Sequence, residues 1–166
     1  MTNKIKSNLK LVGWYQIIGG SIGVLLVAYS IIMAENVTGF ALLVYAMALL
    51  LFGYSIFSGV LCVENKNAAL QHTLINQILQ ILGFALLGFG FSYAAGLYIN
   101  IGIDLTDGLN MTLGTGISKV ELNINREHER ISFSFNLVAI ALVYWINTLR
   151  MKRNAEKARA VELEFS

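Results

Sequence analysis

The chain is 166 residues long, 56% hydrophobic and 13% charged, with a net charge of +2 at neutral pH. Soluble proteins average about 45–50% apolar and about 25% charged residues, so a water-soluble core has no use for this much apolar side chain. The length fits a single domain, and the small net charge leaves no electrostatic footprint for nucleic acid, which is not expected as a partner.

Four stretches contain no Asp, Glu, Lys or Arg: residues 11–34, 36–63, 67–103 and 131–149. As helices rising about 1.5 Å per residue they would run roughly 28 to 55 Å, against a hydrocarbon core about 30 Å thick. This pattern predicts an all-α membrane protein. The expected architecture is a four-transmembrane-helix bundle within residues 1–153, with a mixed-charge cytoplasmic tail at 154–166.

The first span is read at 11–33, after Lys4, Lys6 and Lys10. A secretory h-region is only about 7–15 residues, so this longer run reads as a retained span. Trp14 and Tyr15 near its start suit the headgroup level. Gly19 and Gly23 lie four residues apart, a spacing that lets helix backbones approach closely in lipid. A tight outer turn at Glu35, Asn36 and Thr38 makes the second span, 39–62, its antiparallel partner. That span carries a shorter small-residue pair, Ser55 and Gly59, and ends at Cys62. A lone cysteine allows no intramolecular disulfide.

After an inner loop at Glu64, Asn65 and Lys66, residues 67–76 are polar but compatible with helix, and the third span is read at 77–99. Gly88, Ser92 and Gly96 would form a packing ridge on it. The outer segment, 100–130, ends in strict alternation, with Val120, Leu122 and Ile124 on one face and Lys119, Glu121 and Asn123 on the other, which is the pattern of a half-buried strand. Ile131, Phe133 and Phe135 alternate with Ser132 and Ser134, so a hairpin competes with helix there. The length needed to cross a bilayer favours a fourth span at 131–149, closed by Tyr144, Trp145 and the basic run from Arg150. Proline is absent from the chain, so helices broken at that residue, common in transporters, are not available.

With both termini cytoplasmic, the inner segments hold Lys4, Lys6, Lys10, Lys66, Arg150, Lys152, Arg153, Lys157 and Arg159, and the outer segments hold Lys119, Arg126 and Arg130. That asymmetry obeys the positive-inside rule. It points to a cytoplasmic (inner) membrane, and the small size without disulfides suggests a bacterial source.

Few residues could carry chemistry. The amides Gln16, Gln77, Gln80, Asn136 and Asn147 fall in or near the spans. They would line a water path or form interhelical hydrogen bonds worth near 1 kcal/mol each. No charged residue lies deep in a span, which argues against a proton-coupled carrier, a voltage sensor or an ion pump. Glu127, His128 and Glu129 come nearest to a metal cluster, but neighbouring residues point in different directions and read as solvated charges. No nucleophile elbow, phosphate-binding loop or HExxH helix is present. No enzyme activity, cofactor or metal is expected.

The expectation is therefore a non-enzymatic membrane protein, a subunit, accessory or immunity-type partner of another protein, solvated by the lipid bilayer. Val120, Leu122 and Ile124, or the strand edge they create, would be its recognition surface. Two alternatives fit the same pattern. One is a homo-oligomeric pore or membrane defence effector meeting along the small-residue ridges, and the other a small-solute transporter working as an oligomer.

Overall fold

The computed structural model describes residues 3–34, 37–123 and 131–164. Two long helices come first, α1 (Asn3–Met33) and α2 (Gly39–Val63). The Thr38 hydroxyl accepts from the Ala41 N–H at 3.2 Å, satisfying one of the donors that a helix start leaves unpaired. The helices touch through glycine. A Cβ on Gly13 would lie 2.7 Å from the Gly59 carbonyl oxygen, and one on Gly59 would lie 2.6 Å from that of Gly13. Both helices are long and apolar enough to cross a membrane.

The rest of the chain corrects the four-helix expectation. A short helix, α3 (Ala69–Ile78), is followed by β1 (Leu82–Leu86), β2 (Phe89–Asp104), β3 (Asn110–Asn123) and β4 (Ser132–Asn136), and then by α4 (Leu137–Glu164). The stretch at 77–99 is thus the end of α3, β1 and most of β2 rather than a third span. The stretch at 131–149 opens with β4, and helix begins only at Leu137. Among the described residues two helices, not four, pass the length and hydropathy test for a span, so the fold is mixed α and β rather than an all-α bundle.

The cause lies in side-chain size. From 82 to 103, large apolar residues (Phe84, Phe91, Leu97, Ile99, Ile101) alternate with small or polar ones (Gly83, Ser92, Asn100, Gly102). A hydropathy window averages over this pattern because glycine and alanine are not polar, yet a period of two is a strand signature. Each glycine inside a helix also costs about 1 kcal/mol relative to alanine. At Leu87 and Gly88 both φ angles are positive (50° and 81°). This two-residue connection between Leu86 and Phe89, which are paired, is the left-handed geometry favoured in tight hairpins.

The pairings also determine the curvature of the sheet. β1 pairs antiparallel with both β2 and β4, and β4 pairs antiparallel with β2. Three straight strands cannot all be mutually antiparallel, so β2 must turn sharply between its two halves. It does so at Ala94–Leu97, where the register with β3 shifts and Gly96 takes a φ of 107°. Residues 89–91 pair with β1 and 100–104 with β4, which closes a ring. β3 follows β2 along its whole length and pairs with no other described strand.

Two apolar clusters join these parts to the hairpin. At one end Ile5, Leu9 and Val12 of α1 pack with Cys62, Ala69, Leu70, Ile146 and Leu149, which brings α3 and α4 against the start of α1. Further along, Val27, Ala48 and Phe52 pack with Tyr93 and Ala95 of β2. The hairpin therefore carries helices beside one half and the sheet beside the other.

Candidate functional site

Where these parts meet, polar side chains are buried together. α3 presents Thr73, Asn76 and Gln77, all fully buried, and the turn that follows it presents Gln80, nearly so. Asn76 is the hub. Its Nδ2 donates to Gln16 Oε1 (2.8 Å) and to Ser55 Oγ (3.1 Å), while its Oδ1 accepts from the Tyr93 hydroxyl (3.3 Å), which also donates to the Leu51 carbonyl (2.8 Å). Gln16 Nε2 donates to Thr73 Oγ1 at 3.1 Å, and Ser55 Oγ donates to the Gln16 carbonyl at 3.2 Å. Thr73 Oγ1 lies 3.0 Å from Cys62 Sγ. Gln80 reaches the sheet, accepting from the Ala95 N–H at 2.8 Å and donating to the Asn76 carbonyl at 3.2 Å. One cluster thus ties α1, α2, α3 and β2 together.

A second seam joins α1 directly to the bend of β2. Ser118 Oγ donates to the Gly19 carbonyl (2.7 Å) and accepts from the Gly96 N–H (3.1 Å), and the Tyr15 hydroxyl donates to the Leu97 carbonyl (2.8 Å). Gly19 lies so close to Ala95 and Gly96 that a Cβ on it would collide with their backbone.

Chemically, the amide cluster is a clasp. The nucleophile-type groups in it, Ser55, Thr73 and Cys62, are buried and engaged with one another, with an amide or with a backbone carbonyl. Polar networks of this kind fix a unique packing when every member is satisfied. Gln77 is the exception, since neither its Nε2 nor its Oε1 has a partner among the described residues.

The other polar surface is the inner face of the sheet. A cavity of about 250 Å³ is bounded there by the polar Ser92, Asn100, Thr112 and Ser134 and the charged Lys119 and Glu121, and equally by Phe84, Phe91, Tyr98, Leu113 and Phe133. Lys119 Nζ and Glu121 Oε2 are 2.8 Å apart. Gly83 and Gly102 allow the walls to approach, since a Cβ on Gly83 would lie 2.6 Å from Ser134 Oγ.

Against this geometry the residues singled out from the sequence divide clearly. Gln16 and Gln80 meet in the amide cluster. Gln77 is buried but unpartnered. Asn136 instead caps α4, its Oδ1 accepting from the Val138 N–H (3.1 Å) and the Ala139 N–H (3.4 Å), and Asn147 is exposed. Gly19, Gly23, Ser55 and Gly59 all face contacts within the protomer, Gly23 against the Phe52 ring. The ridge of Gly88, Ser92 and Gly96 does not exist as a helix face: Gly88 is a turn residue, Ser92 lines the cavity and Gly96 sits in the bulge. Val120 packs against the Tyr93 cluster, and Leu122 is half-buried opposite Phe91. Ile124 and the run Glu127, His128 and Glu129 lie outside the described residues. No group of three His, Cys, Asp or Glu able to hold a metal occurs among the described residues.

Thr73 and Tyr93 are not singled out in the sequence, whereas Asn76 lies one helical turn before Gln80, on the polar strip that Gln77 shares. The signal for Thr73 is present as well: Thr73, Asn76 and Gln80 recur at spacings of three and four. Comparison with protein-family models, with curated proteins and with solved structures gives no match.

Proposed function

We propose that this chain is a non-enzymatic integral membrane protein that works as a subunit or accessory partner of another protein. In this reading the α1–α2 hairpin is solvated by lipid, and the free edge of β3 is the docking strand. The observation that carries it is the hairpin's exposed apolar surface. Leu25, Ile32 and Leu50 are 69%, 76% and 68% exposed, and only 28% and 17% of the most apolar windows of the two helices is buried. A core helix of a soluble protein would be mostly covered, and apolar patches of this size mark lipid or partner surfaces.

The orientation follows from packing and charge. Ile5 and Leu9 lie against Ile146 and Leu149, so the lysines that begin α1 and the basic run from Arg150 in α4 gather at one end. The positive-inside rule assigns that end to the cytoplasm, which supports an inner membrane with both termini inside.

The partner reading rests on β3. Its outer edge has no strand partner among the described residues, and Met111 and Leu113 beside it are 84% and 73% exposed. An open, apolar-flanked edge is a template for a further strand. A photocrosslinking residue in place of Leu113, activated in native membranes, should give one discrete adduct heavier than the protomer and different in mass from a dimer. An adduct of two copies would transfer the edge to homo-oligomer assembly, and no adduct at all would end the subunit reading.

A further inference from the structure

We infer that lipid covers the outer face of the sheet as well as the hairpin, and that the sheet encloses a water-accessible polar chamber at membrane depth. The inference rests on the membrane reading above and extends it from two helices to the middle of the whole molecule.

Depth is the first argument. The helix residues seen to bond or pack against the bend of the sheet lie inside uncharged stretches. Tyr15 and Gly19 meet Leu97, Gly96 and Ser118, and Leu51 and Phe52 meet Tyr93, with the two rings edge to face at 5.6 Å. If lipid surrounds 11–34 and 36–63, it reaches the strands that lie alongside them.

The second argument is the direction of the pleat. Ile101 pairs with Leu113 and with Phe135, and Ile103 pairs with Met111 and Phe133, so these large apolar side chains share one face and all are exposed. Ser92, Asn100, Thr112 and Ser134, with the Lys119–Glu121 ion pair, line the cavity instead, together with Phe84, Phe91, Tyr98 and parts of Leu113 and Phe133. A sheet closing on itself in water would turn the first set inward. Polar inside and apolar outside is the arrangement that suits closed sheets in lipid, where a dyad repeat places alternate residues against hydrocarbon and against an aqueous lumen.

Charge is the third argument. The exposed positions named above, Ile101, Ile103, Met111, Leu113, Phe133 and Phe135, are all without charge, whereas Lys4, Lys152 and Arg159, outnumbering Glu156, border one groove where α1 begins. An apolar band ending in a basic collar complements a bilayer whose surface is anionic. A lipid setting also raises the cost of the open β3 edge, because unpaired backbone groups in hydrocarbon cost several kcal/mol each, which adds to the need for a partner strand there.

Single-tryptophan variants in a W14F/W145F background, reconstituted into vesicles of phosphatidylcholine and phosphatidylglycerol containing brominated acyl chains, test the outer face. L42W reports the hairpin, and L113W and I101W report the sheet. All three should be quenched to the same fraction. Quenching of L42W alone would overturn the inference and leave the membrane reading standing, whereas no quenching at any of them would remove both. For the chamber, S134C and S92C should react with a membrane-impermeant methanethiosulfonate while the buried Cys62 does not. Failure of both engineered thiols to react in well-folded protein would refute the aqueous chamber.

Discussion

Most of the α1–α2 hairpin (11–34 and 36–63) and the segment from 82 to 103 alike run without Asp, Glu, Lys or Arg, yet one is helix and the other almost wholly strand. In the hairpin, large residues occur on every side, and most of its glycines lie where a backbone comes close: Gly13, Gly20, Gly23 and Gly59 between the two helices, and Gly19 against the sheet. In β1, β4 and much of β2, small or polar residues (Gly83, Ala85, Ser92, Ala94, Asn100, Gly102, Ser132, Ser134) alternate with large apolar ones, with Tyr98 the exception. Hydropathy sets the solvent that a segment prefers, and the periodicity of side-chain size decides the backbone. The two regions are then joined at only a few points, and those points are where the comparison can be broken.

The largest effect is expected at Gly19, where helix and sheet backbones meet. Gly19→Leu would drive a side chain into Ala95 and Gly96, and overpacking of this kind costs about 1–3 kcal/mol and more where backbone must move. Thermal unfolding in detergent should show the sheet lost well below the temperature at which the helices melt, separating the two regions. The control is Gly53→Ala, a helix position with open space around it, which should raise stability by up to about 1 kcal/mol.

A somewhat smaller loss is expected at Asn76. Asn76→Ala removes bonds to Gln16, Ser55 and Tyr93 at once and strands buried partners, each worth about 1–3 kcal/mol when left unpaired. We expect about 2–3 kcal/mol of destabilisation in denaturant titrations. Asn147→Ala, at an exposed site, should stay within about 0.5 kcal/mol. Equal effects at the two sites would show that the amide cluster is not the clasp between the regions.

Gln77 reverses the sign. Its amide is buried without a partner among the described residues, and an unbonded amide in an apolar setting costs about 1–3 kcal/mol by mutational measures. Gln77→Leu keeps the volume and removes that cost, so stability should rise by about 1–2 kcal/mol. A loss instead would reveal a bonded occupant at this site and turn a structural flaw into a binding position.

The hairpin was legible in the sequence because its signal is monotonous: long runs without charge, bounded by Lys10, Glu35 and Glu64. The sheet was half legible. Alternation at Val120 and Leu122 marks a strand that the structure contains, and Phe133 and Phe135 against Ser132 and Ser134 carried the same mark, but a length argument for a fourth helix outweighed it. The alternation from 82 to 103 was hidden because its thin side is glycine, alanine and serine rather than charge. Of the polar cluster, Gln16, Gln77 and Gln80 stood out as amides in apolar surroundings, whereas Tyr93 could not be linked to them, since nothing local announces the bend at Gly96 that carries it to Asn76.

The smallest effect separates the regions most cleanly, because it touches the sheet alone. Leu87 occupies a left-handed conformation (φ 50°) at the tip of the β1–β2 hairpin and is 65% exposed, so its side chain adds little packing while its backbone is strained. L-residues with a Cβ lose about 1–2 kcal/mol in that region, and asparagine tolerates it best after glycine. Leu87→Asn before Gly88 creates the Asn-Gly pair preferred by this turn type. Stability should rise by about 0.5–1 kcal/mol, read as slower amide hydrogen exchange in β1 and the first half of β2 with no change in α1 or α2. Protection that rose equally in the hairpin would mean that helices and sheet unfold as one unit, and the separation drawn between them would have to be given up.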